Sequence, residues 1–205
     1  MDSFEEVLEF WFPSEVLADP TKVVRQVEWW FRGGADAEIG ERFLPLLERT
    51  ARGDLDAWAD SARSRLALII VLDQFSRSAF AGTAQAFAQD PKALALAIEG
   101  IDNGDYEVLL SPWEKTFFLL PLSHSEDLGN HERAIRLAER LVEEASPALR
   151  GILEFSAGQA RAHRDIIARF GRHPHRNEVL GRMSTPEELV YLASGEFVHK
   201  RPVRG

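Results

Sequence analysis

Cysteine is absent from the 205 residues. That excludes a disulfide framework, a thiolate metal site and a cysteine nucleophile. Long apolar runs are missing as well. The longest, Leu66 to Leu72, falls far short of the about 20 residues a helix needs to cross a bilayer, so no membrane partner is expected. The opening residues Met1-Asp2-Ser3-Phe4-Glu5-Glu6 are acidic and do not read as a signal peptide, which makes the cytoplasm the expected location. Basic side chains are in deficit, 24 against 33 acidic ones for a net charge of −9, and this disfavours nucleic acid as a partner. There is no phosphate-binding Gly-x-x-x-x-Gly-Lys loop, dinucleotide fingerprint, Gly-x-Ser-x-Gly elbow or His-Glu-x-x-His. No cofactor is therefore implied, and whether the chain is an enzyme stays open, as does its oligomeric state.

What the sequence has is helix punctuation. Asp19-Pro20, Asp90-Pro91, Ser111-Pro112, Ser146-Pro147 and Thr185-Pro186 each set a capping side chain before a proline. The cap accepts a bond from an orphan N–H, and proline at the first helical position has no N–H to leave unpaired. Ser111 with Glu114 and Thr185 with Glu188 also have capping-box spacing. Apolar residues then recur with helical period, as in Leu94, Ile98 and Ile101 and in Ile135, Leu137, Ala138, Leu141 and Val142, while Leu149, Ile152, Leu153, Ser156, Ala160, His163, Ile167 and Phe170 trace another face. Alternating runs and Asn-Gly or Asp-Gly turns are nearly missing, which argues against strands.

The fold class that follows is all-α, one multi-helix domain over residues 1–195 with an extended basic tail at 196–205. Leu66 to Leu72 is apolar all round, which places a central helix at about residues 55–77. Gly33-Gly34 and Gly100 to Gly104 read as interhelical loops, and Pro121 as the end or kink of the helix before it.

Four polar segments exceed what helix ends obviously require. Asp73, Gln74 and Arg77 follow the central apolar run, with Asp73 and Arg77 at ion-pair spacing. They read either as a pair closing the helix or as an arginine held towards a ligand. His124 and Glu126 lie in a turn whose Ser125 or Asp127 could cap the next helix. Gln159 and His163 are one turn apart on an inward face, where each needs a partner. Arg172, His175, Arg176 and Asn177 follow the helix terminator Gly171. From Arg161 to Arg182 six arginines face two acids, a local reversal of the overall charge suited to a carboxylate or phosphate.

One expectation is that these segments converge on a pocket for a small anionic ligand. Asp73, Gln74, Arg77, Gln159, Arg172, His175, Arg176 and Asn177 would bind it there, and His163 or His124 would act as acid–base group oriented by Glu126. A metal held by His124, Glu126 and His163 is a weaker variant. The rival expectation is a non-enzymatic helical scaffold that docks other proteins.

These same stretches resemble a bacterial family known as domain of unknown function 924. The matching segments are Leu8 to Phe12, Trp30-Phe31, Leu66 to Arg77 with Gly82-Thr83, Phe117 to Asp127 and His163 to Asn177, followed by Leu180-Gly181-Arg182 and Ser184 to Glu188. The resemblance implies a tetratricopeptide-like helical fold and implies no reaction. This chain departs from the usual pattern at Ser76 and Ser78, where Pro and Asn are typical, at His173, where Phe is, and at Gly33 to Ala35.

Overall fold

In a computed structural model, which describes residues 3–17 and 19–195, every regular element is helical. The expected tail at 196–205 lies outside the described residues. The chain divides into two compact units, one of Met1–Ala81 with Gln85–Pro121, the other of Gly82–Ala84 with Leu122–Gly205.

The first unit holds helices α1 (Phe4–Trp11), α2 (Ser14–Leu17), α3 (Pro20–Phe31), α4 (Asp36–Glu38) and α5 (Leu44–Arg52). After them come α6 (Ala62–Ile69), α7 (Ser76–Ala79), α8 (Asp90–Asp102), α9 (Asp105–Val108) and most of α10 (Pro112–His124). A π-helical stretch, Ile70–Phe75, joins α6 to α7, so the central helix runs from Ala62 to Ala79. It starts later than expected because Ser61 is extended, with φ −143° and ψ 155°, and a separate 3-10 turn occupies Asp56–Asp60. Every residue from Ser64 to Ser76 on it is buried, as all-round apolarity requires. An aromatic cluster packs beside it: Trp30 lies 4.7 Å from Phe117 and Trp11 5.6 Å from Phe75, centroid to centroid, and the Trp30 indole N–H donates to the Trp11 carbonyl at 2.9 Å. Burying one such ring fully contributes about 2–3 kcal/mol.

Two local readings change here. Helix α8 runs through Gly100, and its buried stripe is Ala93, Ala97 and Gly100, displaced from the Leu94, Ile98 and Ile101 face. Small residues are needed because a Cβ on Gly100 would sit 2.5 Å from Phe118 Cζ and 2.6 Å from Arg65 Cδ. Helix α10 continues past Pro121 to His124. The proline removes one helical N–H donor without ending the helix.

The second unit is dominated by α11 (Leu128–Glu144) and α12 (Pro147–Phe170), which form a hairpin. Ion pairs Arg161–Glu139 at 3.0 Å and Arg164–Glu132 at 3.8 Å show the antiparallel order, since one number rises as the other falls. Asp127 caps α11 by accepting from the Asn130 N–H at 3.0 Å, while the Ser125 hydroxyl donates to the Leu122 carbonyl. Gly171, at φ +68°, ends α12 in the left-handed conformation that a Cβ disfavours. A 3-10 turn (Pro174–Arg176) and helix α13 (Pro186–Ser194) follow, the latter opened by the complete Thr185/Glu188 capping box.

Candidate functional site

The three expected site residues of the first unit, Asp73, Gln74 and Arg77, are bonded to one another. The Arg77 guanidinium lies 3.0 Å from Asp73 Oδ1 and 2.9 Å from Asp90 Oδ1, and also donates to the Asp73 carbonyl at 2.7 Å. The Gln74 amide donates to the Asp73 carboxylate, and both residues are buried. Burial opposes the charge on Arg77, but Asp73 and Asp90 hold its pKa above the ordinary arginine value. Asp90, read in the sequence as a cap, is thus a partner of Arg77. Both terminal nitrogens of the guanidinium thus meet oxygens of Asp73 or Asp90.

Every described histidine lies in the second unit, and their rings form a connected chain centred on His173. Ring centroids are 6.5 Å apart for His124–His163, 6.0 Å for His163–His173, 6.1 Å for His131–His173 and 5.4 Å for His173–His175. Exposure falls along the chain, from exposed His175 and half-buried His124 through His163 to His173 at 2% and His131 at 0%. Three elements set this order. His131 and His163 occupy buried faces of α11 and α12, and Gly171 turns the backbone so that His173 packs beside them.

Burial pushes the His173 pKa far below the usual histidine range, and Arg176, His175, His163 and His124 push it the same way, so this ring is neutral. Burial lowers His131 too, only partly offset by its bond to a carbonyl. Neither ring nitrogen of His173 meets a hydrogen-bond partner among the described residues, and neither does Nδ1 of His131.

Two carboxylates fix the loops around the rings. Glu126 accepts from the His173 backbone N–H at 2.8 Å and from Arg182 at 2.8–3.0 Å. Burial would raise its pKa, but Arg182 and that N–H bring it below the ordinary value. Arg182 also donates to the His173 carbonyl at 3.1 Å, so both polar groups of that peptide residue are held. Glu188 accepts from Arg172 at both oxygens, 2.6 and 2.7 Å, from the Thr185 N–H at 2.7 Å and from Asn177 at 3.2 Å. Arg172 foremost holds Glu188 down at about 2.

Of the expected site residues, the second unit therefore brings His124 next to His163 and gathers His175 and Arg176 around His173. Arg172 and Asn177 join Glu188 instead, and Glu126 serves a backbone and an arginine. Gln159 sits half-buried one turn before His163 on α12. Among the described residues, no group of three His, Asp or Glu side chains has the arrangement to hold a metal ion. Two central residues, His131 and His173, escape the sequence reading. His131 shares its helical stripe with Ala134, Leu137 and Leu141, a signal that was available. For His173 only the neighbouring Gly171 and Pro174 hint at a fixed backbone.

An all-helical protein with a chain of histidine rings gathered beside a helical hairpin is the class these observations define. The chain belongs to the family described as bacterial protein of unknown function (DUF924), whose model matches residues 7–196. It is similar to a solved protein of unknown function from Agrobacterium tumefaciens, 37% identical with a TM-score of 0.76, covering 94% of this chain and 97% of that one. The search of curated proteins finds no match. No helix among the described residues is long and apolar enough to cross a membrane.

Proposed function

We propose that this protein binds a small anion at the histidine chain of its second unit, with His163 and His124 as acid–base groups. The observation that carries the reading is the chain of rings itself, spaced 5.4–6.5 Å and running from exposed His175 to buried His131. Neutral imidazoles beside Arg176 offer N–H donors in a positive field, which suits an anion. His175, Arg176, Gln159 and His163 are the contacts this reading needs. Arg172 and Asn177 act on it by fixing the loop, and Arg77 with Asp73 and Gln74 stabilises the first unit. Transfer and hydrolysis are both open to a pair of histidines, since one ring can take a proton while the other gives one.

A ligand that binds only the folded state raises stability, by about 2.7 kcal/mol at a hundred times its Kd. Thermal unfolding is therefore to be followed in inorganic anions against chloride of equal ionic strength. A rise that is lost in Arg176→Gln and weakened in His175→Ala supports the reading. No rise beyond that in chloride for any anion overturns it.

The scaffold reading keeps one supporting observation. Helix hairpins such as α11–α12 are the building unit of tetratricopeptide arrays, and Phe155 on α12 is 61% exposed.

A further inference from the structure

The hydrogen-bonding needs of the two innermost rings narrow the ligand further, an inference that rests on the anion reading above. His131 Nε2 lies 2.9 Å from the Ser125 carbonyl oxygen. A carbonyl only accepts, so Nε2 carries the proton and Nδ1 of the neutral ring is a bare lone pair. That lone pair is buried and meets no partner among the described residues. A neutral His173 has one N–H and one lone pair, again with no partner for either nitrogen. These atoms together ask for a ligand that donates as well as accepts.

Spacing agrees with a single bridging atom. Two imidazoles in a direct N–H···N bond have centroids about 5 Å apart, whereas one oxygen between them, at about 2.8 Å from each nitrogen, opens this to about 6–7 Å. His131–His173 and His163–His173 stand at 6.1 and 6.0 Å. A carboxylate or sulfate fills only the N–H positions and leaves each buried lone pair facing an oxygen lone pair. A phosphoryl group that keeps a P–OH satisfies both kinds of site. We infer that the ligand is a protonated phosphoryl group, free hydrogen phosphate or a phosphate monoester, recognised by the His131 lone pair and both nitrogens of His173. Entry is from the side of exposed His175 and half-buried His124.

The test compares two tetrahedral anions that differ in their proton. Calorimetric titration of the full chain at pH 6.5, in a buffer free of both, uses inorganic phosphate and then sulfate. Phosphate is expected to bind at least about tenfold more tightly, the cost of one unmatched buried hydrogen-bonding group. Equal affinities overturn this inference and leave the anion reading standing. Binding of neither also overturns this inference, and the anion reading is then decided by the thermal unfolding series across the other anions. Methyl phosphate at the same pH separates the two sources: affinity at or above that of phosphate assigns a monoester, and its loss assigns the free ion. A second measurement also uses the wild-type chain. Long-range proton–nitrogen spectra of the labelled wild type are expected to show His131 as the Nε2–H tautomer, with its Nδ1 signal moved by phosphate and unmoved by sulfate. An Nδ1–H tautomer contradicts the inference outright.

Discussion

Acid should destabilise the second unit through His173, and the size of the effect follows from its burial. The ring is 2% exposed and faces Arg176, His124, His131, His163 and His175. Its folded pKa is depressed, so as pH falls the unfolded chain takes up a proton that the fold refuses. The contribution of His173 is intact above the unfolded histidine value of about 6.5 and is lost below it, at up to about 1.4 kcal/mol per pH unit. Between pH 7.5 and pH 5 the loss comes to about 2 kcal/mol for this residue alone. His131, depressed in the same direction by burial, adds to the wild-type total, so the quantity to measure is a difference. Urea unfolding of wild type and His173→Phe, in buffers without phosphate, is to be followed at several pH values by a probe in the second unit. The backbone bonds of residue 173 to Glu126 and Arg182 do not use the ring and survive the change. Wild type should lose about 2 kcal/mol more than the variant over this interval. Parallel stability curves would refute the reasoning. If the variant does not fold, the wild-type ring signal decides instead: it should hold its neutral position to pH 5, and a midpoint above pH 6 is incompatible with the buried ring.

Other perturbations have equally definite outcomes. Gly100→Ala drives a methyl to 2.5–2.6 Å from Phe118 and Arg65 and should cost about 1–3 kcal/mol, read as a lowered Tm. Arg77→Met leaves Asp73 and Asp90 uncompensated in a buried setting and should cost about 3 kcal/mol in urea unfolding. Thr185→Ala removes the cap of α13 and should cost about 1 kcal/mol, with fraying of that helix seen by hydrogen exchange. Glu188, depressed mainly by Arg172, contributes stability that is present above the ordinary glutamate value and lost as pH falls through about 2. Glu188→Gln should therefore flatten the acid limb of unfolding below pH 4, and an unchanged limb would count against the Arg172–Glu188 clamp.

Local physics made part of this molecule legible in its sequence. Each of the five polar-residue/proline pairs opens a helix, because proline's fixed φ and missing N–H act wherever the chain then goes. The seven apolar residues from Leu66 to Leu72 lie inside a buried helix, since no other place hides all their faces. Asp73 and Arg77 pair as their four-residue spacing dictates. Tertiary structure alone decided the partners of residues far apart in the chain. Arg172 turns to Glu188 and Arg182 to Glu126, because a guanidinium takes whichever carboxylate the fold brings within reach. The buried stripe of α8 shifted to Ala93, Ala97 and Gly100 because Phe118 and Arg65 occupy the space where larger side chains would stand. His173 has no periodicity to announce it. It became the centre of the histidine chain because a left-handed glycine and two long-range bonds set its backbone beside α11 and α12, and such bonds leave no mark in local spacing.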